Sequence, residues 1–340
     1  QEGNVVGRFD QQGNSGSDRS NFGGRFGVDW KASNRSTLTL SQSVRGRNYA
    51  NDDRLDYTAT NGSGGILDQG VQLNEQTSDG TEMTSQVMFR HRMPKEGREW
   101  STDLTYNRSR RTNDAVYTTS TFDPDGVEVV GSPRVQDNTG STEADQFTWQ
   151  FDMADPRGER DKLEYGLRSN IRVERSILDV TVATDTSAAE RNPTLSNDFD
   201  ITDMVNAAYI NWIHKINDQW GFQAGLRTEI TRFTSTIQDK GLSFNYYYPD
   251  GLEDLWKALF PAIYVSRKWE DTRELQFNAS RKIRRPNFFQ VMPFIMFSDS
   301  RNLRVGNPTL APEFTNMGEV NHLLPFGPGR SNWLSSAFVR

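Results

Sequence analysis

Apolar and polar residues alternate along most of this chain. Phe22, Gly24, Phe26, Val28 and Trp30 take one set of positions, and Gly23, Arg25, Gly27 and Asp29 take the other. Side chains of an extended segment point to opposite faces with a period of two, so the pattern predicts a strand with one apolar face. Met83, Ser85, Val87 and Phe89 repeat the pattern, as do Trp100, Thr102, Leu104 and Tyr106. Phe147, Trp149, Phe151 and Met153 alternate with Gln146, Thr148, Gln150 and Asp152. Leu163, Tyr165, Leu167, Ile171 and Val173 alternate with Lys162, Glu164, Arg168, Asn170, Arg172 and Glu174. Trp220, Phe222, Ala224, Leu226 and Ile230 alternate with Gly221, Gln223, Arg227, Glu229 and Thr231. Leu275, Phe277, Ala279 and Ile283 do the same against Glu274, Gln276, Asn278, Ser280 and Lys282. Only Val205–Ile216 is apolar at both parities, which leaves its facing open. The segments Asp185–Phe199 and Tyr246–Gly251 read as loops, with a helical turn through Leu252, Leu255 and Trp256.

Turn signals punctuate these strands at a regular interval. Tight turns fall near Asn34, Glu96, Arg157, Asp218, Asp271 and Gly327, about 50 to 60 residues apart. One interval holds an up-and-down pair of long strands with a larger connection between them. Trp30, Trp100, Trp220, Trp269 and Trp333 each lie beside one of the tight turns. Indoles favour a membrane–water boundary, so the row reads as an aromatic girdle. A soluble propeller has a similar repeat, but its blades carry four short strands where this chain has two long ones.

Composition narrows the choice. The chain has 340 residues, 34% hydrophobic, and a mean hydropathy of -0.75. No apolar run approaches the roughly 20 residues of a membrane-spanning helix. A β-barrel remains open, because its strands are only half apolar. There is no cysteine, so neither a disulfide framework nor a thiolate site exists. A net charge of -6 and the lack of a clustered basic face disfavour nucleic acid as a partner. No basic region followed by an apolar core opens the chain, so Gln1 begins no signal peptide.

The stretch Arg281 to Asn316 is the most distinctive. Its fixed points are Ser280-Arg281-x-Ile283-x-Arg285-Pro286, Pro293-Phe294, Ser298-Asp299, Gly306-Asn307-Pro308-x-Leu310-x-Pro312-Glu313 and Thr315-Asn316. With Phe26-Gly27-Val28-Asp29-Trp30 through Thr37-Leu38-Thr39-Leu40, and Leu259-Phe260-Pro261, it resembles the barrel of TonB-dependent outer-membrane receptors, in particular the outer-membrane β-barrel family. The resemblance implies an all-β, antiparallel, up-and-down transmembrane barrel with short periplasmic turns and long extracellular loops. It implies energised uptake of a scarce bulky nutrient, such as a siderophore, vitamin, oligosaccharide or peptide. The partners it implies are outer-membrane lipid, the protein's own plug domain and the TonB energy-coupling complex. Such barrels have about 22 strands. About a dozen are legible here, so residues 1–340 are expected to be one part of a single barrel domain, with the plug outside this chain.

In a barrel the polar set faces the lumen, because charge on the lipid side is costly. That set is Lys162, Glu164, Arg168, Arg172, Glu174, Arg227, Glu229, Glu274 and Lys282. Its plainer role is a hydrated wall against the plug. Tyr246, Tyr247, Tyr248 and Trp256 are expected in an outer loop, where exposed rings stack on a sugar or siderophore or pack on each other. Arg284, Arg285 and Arg304 offer charge to an anionic chelate, or pair with Asp299 or Glu313 to order the loop. His91, His214 and His322 lie on separate strands. Asn51-Asp52-Asp53 and Asp198-x-Asp200-x-x-Asp203 lack the spacing of a calcium loop and read as solvated turns. No metal, cofactor or catalytic constellation is expected. A passive porin or structural barrel is the second reading, and a soluble β-rich binding module the third.

Overall fold

A computed structural model describes residues 7–340 apart from 271, 287, 292–294, 300–301, 308–309 and 328–330; the side chains of 252–253, 288–289, 295–299 and 302–305 also lie outside the description. The strands are β1 (Gly7–Lys31), β2 (Ser36–Asn61), β3 (Ile66–Arg92), β4 (Glu99–Phe122), β5 (Arg134–Pro156), β6 (Asp161–Thr184), β7 (Ser187–Arg191), β8 (Asn197–Lys215), β9 (Trp220–Ile237), β10 (Leu242–Tyr248), β11 (Leu259–Lys268), β12 (Glu274–Arg284), β13 (Ile295–Asp299), β14 (Asn302–Val305), β15 (Glu313–Phe326) and β16 (Ser331–Val339). Among the described residues one short α-helix, α1 (Phe288–Val291), precedes β13.

Fourteen of these strands form one antiparallel sheet in the order β1-β2-β3-β4-β5-β6-β8-β9-β11-β12-β15-β16, with β7 beside β6 and β10 beside β9. Each long strand pairs with the next in sequence, which is the up-and-down arrangement the alternation predicts. Strands β13 and β14 make a separate hairpin within the excursion between β12 and β15.

The predicted tight turns all lie at one rim, and local hydrogen bonds explain why they are tight. Ser33 Oγ accepts from the backbone N–H groups of Arg35 and Ser36 at 3.2 and 3.0 Å. Asn217 Oδ1 accepts from those of Gln219 and Trp220 at 2.9 and 2.8 Å. Gly97 sits at φ +70°, where a Cβ would be strained, and closes the β3–β4 turn. At the opposite rim the connections between β4 and β5, β6 and β8, β9 and β11, and β12 and β15 are long. The β2–β3 connection is an exception at that rim. Asn61 Oδ1 caps it by accepting from Ser63 N and Gly65 N at 3.0 and 2.8 Å, and the two strands themselves supply the reach. A strand of 25 residues such as β1 extends about 80 Å, far beyond the ~30 Å hydrocarbon layer.

Register sorts the faces. The row Trp30–Leu38–Phe89–Thr102–Phe151–Leu167–Ala208–Thr228–Leu259 crosses nine strands on one side of the sheet. The neighbouring row on the other side runs Asp29–Thr39–Met88–Asp103–Gln150–Arg168–Ala207–Glu229. Among the described residues no second layer covers the apolar side: Phe26 is 72% exposed, Leu167 47% and Leu226 42%. Open apolar area on this scale needs a nonaqueous neighbour, and lipid supplies one. Trp30, Trp100, Trp220 and Trp333 all stand on this side near the tight-turn rim, by strand parity.

Several sequence expectations are corrected. Asn51-Asp52-Asp53 lies within β2, and Asp198, Asp200 and Asp203 lie within β8, so neither is a turn. Part of Asp185–Phe199 is also extended, as β7 and the start of β8. Residues Tyr246–Tyr248 are strand and not loop. Gly241, at φ +62°, reverses the chain so that Leu242 pairs with Ile237 and Tyr248 with Thr231.

Candidate functional site

The polar side of β6, β9 and β12 carries every residue expected to face the lumen. Lys162, Glu164, Arg168, Arg172 and Glu174 share the parity of Asp152 and Gln150 on β5 and reach Arg227 and Glu229 through β8. Glu274 and Lys282 join them through β11, whose Ala262 lies between Gly225 and Ser280. Most form local ion pairs, along one strand or across to the next. Lys162 Nζ meets Glu164 Oε1 at 2.6 Å, Arg172 pairs with Glu174, and Lys268 Nζ reaches Glu274 Oε2 at 3.8 Å. The basic partners are open to water while the carboxylates are partly covered, so these pairs are screened on one side and contribute modestly. Lys282 is exposed, and Arg168 faces the same side at mid-strand.

One group departs from this wall-like character. Glu229 is 8% exposed and receives two arginines. Arg227 Nε donates to its Oε1 at 2.6 Å, and Arg285, just past the end of β12, donates to Oε2. In the adjacent rows stand Arg172–Asp203–Phe233–Tyr246 and Asn170–Val205–Thr231–Tyr248. The hydroxyls of Tyr246 and Thr231, and Nε of Arg285, are buried without a hydrogen-bond partner among the described residues. Burial pushes the Tyr246 phenol up to about 12. The group therefore combines opposed charges with unspent hydrogen-bonding capacity, which is unusual for a buried patch.

Above it, toward the long-loop rim, the same side turns apolar. Phe199, Ile201 and Ile237 are buried together, with Phe233, Phe244 and Val291 packed against them. Val291 ends α1, so the excursion after β12 returns over this side of the sheet. The backbone N–H of Asn307 donates to Gln290 O at 2.7 Å and ties the excursion to itself.

The aromatic loop residues separate. Tyr246 and Tyr248 point to the polar side, and the Tyr248 hydroxyl donates to Lys257 O at 2.7 Å. Tyr247 points to the other side, with the Arg232 guanidinium 5.5 Å from its ring centroid. Trp256, in the 3-10 turn Leu252–Ala258, is 65% exposed, with the Lys257 ammonium 5.7 Å from its ring centroid. They do not form one stacking platform. The arginine expectation is also corrected. Arg285 meets Glu229, two strands away, and among the described residues it does not pair with Glu313; the Asp299 side chain lies outside the description. Arg284 pairs in register with Glu313. Arg304 lies opposite Met296 in the β13–β14 hairpin, and its side chain is outside the description.

Sequence reading took Asp203 for part of a solvated turn and did not pair Tyr209 with Asp152. Tyr209 reaches over Gly166 to donate to Asp152 Oδ1 at 2.7 Å, crossing from β8 to β5. The signal was strand parity in β8, obscured because both its faces are apolar. The histidines stay apart: His91 contacts Ser36 Oγ at 2.9 Å and His214 contacts Asp161 Oδ1 at 2.8 Å. Among the described residues no three His, Asp or Glu side chains are grouped as metal ligands.

Comparison with known proteins follows from this architecture. The family model for the outer membrane protein beta-barrel family matches residues 91–340. No curated protein matches the chain. Solved structures are similar in shape and remote in sequence. The ferric-catecholate import receptor Fiu of E. coli K12 gives a TM-score of 0.49 at 10% identity, covering 98% of this chain and 58% of that one. The alcaligin outer-membrane receptor FauA of Bordetella pertussis gives 0.44 at 13% identity, covering 98% and 50%. The ferric yersiniabactin uptake receptor FyuA of Yersinia pestis gives 0.41 at 9%, covering 99% and 55%. The chain thus spans about half the length of the solved structures it matches. With the family model covering most of its strands, and an open apolar face opposite a charged one, the chain belongs to the outer membrane protein beta-barrel family and is an outer-membrane protein.

Proposed function

We propose that this chain forms part of the wall and outer connections of a TonB-dependent receptor that takes up a scarce bulky nutrient. The observation that carries the reading is the buried group around Glu229 on the polar side. There Arg227, Arg285, Tyr246 and Thr231 converge below the long-loop rim, with donors and acceptors still free. A passive pore needs only a hydrated wall; a receptor needs oriented polar groups in a partly dry recess. Three acids offset the three arginines there: Glu174 pairs with Arg172, Glu229 with Arg227 and Arg285, and Asp203 lies within electrostatic reach of Arg172 and Arg285. Such a site favours a solute with several hydroxyl or amide groups over a simple anion.

In this reading the extended strands carry the connections well above the bilayer, where they meet solute first. The polar side faces the lumen, and the plug domain docks against Lys162, Glu164, Arg168 and Arg172 nearer the periplasm. Energy arrives through TonB and the plug, and the barrel stays fixed while the plug moves. A passive porin remains the alternative. Solute uptake by cells carrying the full protein, with and without a working TonB complex, tests the choice. Uptake lost without TonB supports the receptor. Uptake that continues unchanged and scales linearly with solute concentration supports the pore.

A further inference from the structure

The apolar side of the sheet carries one arginine set between aromatic rings at the tight-turn rim. Arg267, next to last in β11, pairs in register with Trp220 on β9 and Leu275 on β12. Its guanidinium carbon lies 5.1 Å from the Trp220 ring centroid and 4.6 Å from that of Trp269. Arg273 approaches the same Trp269 ring at 5.5 Å. Arg267 forms no ion pair, and its Nε is buried without a hydrogen-bond partner among the described residues. Lys268 and Glu274, immediately beside it in sequence, pair on the opposite side.

Among the described residues no carboxylate pairs with the Arg267 guanidinium, and it faces the membrane side. Deep in hydrocarbon that is costly, but at the boundary row it meets headgroups. The two indoles hold the guanidinium by cation–π attraction and limit its freedom. Backbone hydrogen bonds hold Trp269 in turn: its N–H donates to Arg273 O at 3.0 Å, and Thr272 N donates to Trp269 O at 3.0 Å. A planar guanidinium fixed in this way presents paired donors, the geometry that suits a phosphate. Up the sheet from Arg267, the same side shows exposed Ile263, Phe277 and Leu226, a track for acyl chains.

We infer that Arg267, Trp220 and Trp269 form a site for the phosphodiester of a periplasmic-leaflet phospholipid. A free phosphate shares the headgroup chemistry, but the apolar track commits the site to a lipid. Native mass spectrometry of the protein in detergent, titrated with phosphatidylglycerol, tests this. The wild type should retain one lipid that survives detergent exchange, and Arg267→Gln should lower its retention about tenfold. Arg232→Gln, at the far rim, should leave retention unchanged. Equimolar inorganic phosphate should not displace the lipid. Equal retention by Arg267→Gln, or displacement by phosphate, would overturn the inference. Heat-modifiable migration on a gel shows whether each variant is folded. If Arg267→Gln fails that check, Arg267→Lys replaces it: a several-fold loss supports the site, and unchanged retention contradicts it.

Discussion

Arg285 and Glu229 join the excursion after β12 to the polar side of β9, two strands away along the sheet. The carboxylate also holds Arg227 at 2.6 Å and is nearly inaccessible to solvent. Removing one member of a buried ion group leaves the others desolvated and unpaired. Glu229→Gln should therefore destabilise the folded protein by about 2 kcal/mol, reduced from the fully buried case because the arginines are partly exposed. Urea unfolding in lipid vesicles measures this. The double variant Glu229→Gln with Arg285→Gln should recover part of the loss, and strict additivity of the two changes would contradict the pairing.

Tyr209 depends on the absence of a side chain at residue 166. A Cβ there would lie 2.5 Å from Tyr209 Cε1 and 2.5 Å from the Phe151 carbonyl oxygen. Gly166→Val should expel the ring from this path and cost about 1–3 kcal/mol from overpacking. Tyr209→Phe keeps the ring and loses only the hydrogen bond to Asp152, so it should cost less, about 1 kcal/mol. Equal unfolding midpoints for the two variants would refute the crossing.

Much of this fold could be read from parity and turns. Leu163 to Val173 alternate so regularly that counting alone puts Arg168 and Arg172 on the same side of β6. The tight turns were legible because Ser33, Asn217 and Gly97 each have a local reason to reverse the chain. What could not be read is which residues meet across strands. Arg285 and Glu229 are separated by 56 positions, and their contact depends on the path of an excursion with no periodicity. The strand character of Tyr246 was hidden because Tyr246-Tyr247-Tyr248 has no polar member to mark a face. The apolar group of Phe199, Ile201 and Ile237 broke the expected rule that one side is polar throughout. There the excursion covers the sheet and substitutes for water.

Tyr246 supplies a pH test outside the membrane-spanning part of the sheet. Its folded pKa of about 12 exceeds the ordinary phenol value near 10, and burial is the main cause. The stabilisation from keeping it neutral is complete below about pH 10 and is lost as pH rises through about 12. One of the wild type's late-titrating phenols should disappear from the ultraviolet titration of Tyr246→Phe, and stability of that variant should fall less between these limits. A titration identical in the two proteins would refute the burial of this hydroxyl.

The account rests on lipid meeting one side of the sheet and water the other. The chain has no cysteine, so single cysteines can be introduced without background. Spin labels at residues 150, 151, 167, 168, 226 and 227 in vesicles, probed with oxygen and with a polar nickel chelate, test this most directly. Labels replacing Phe151, Leu167 and Leu226 should relax with oxygen, and those replacing Gln150, Arg168 and Arg227 with the chelate. Labels at Phe151, Leu167 and Leu226 that respond to neither reagent would mean a dry protein core on that side and would contradict the account.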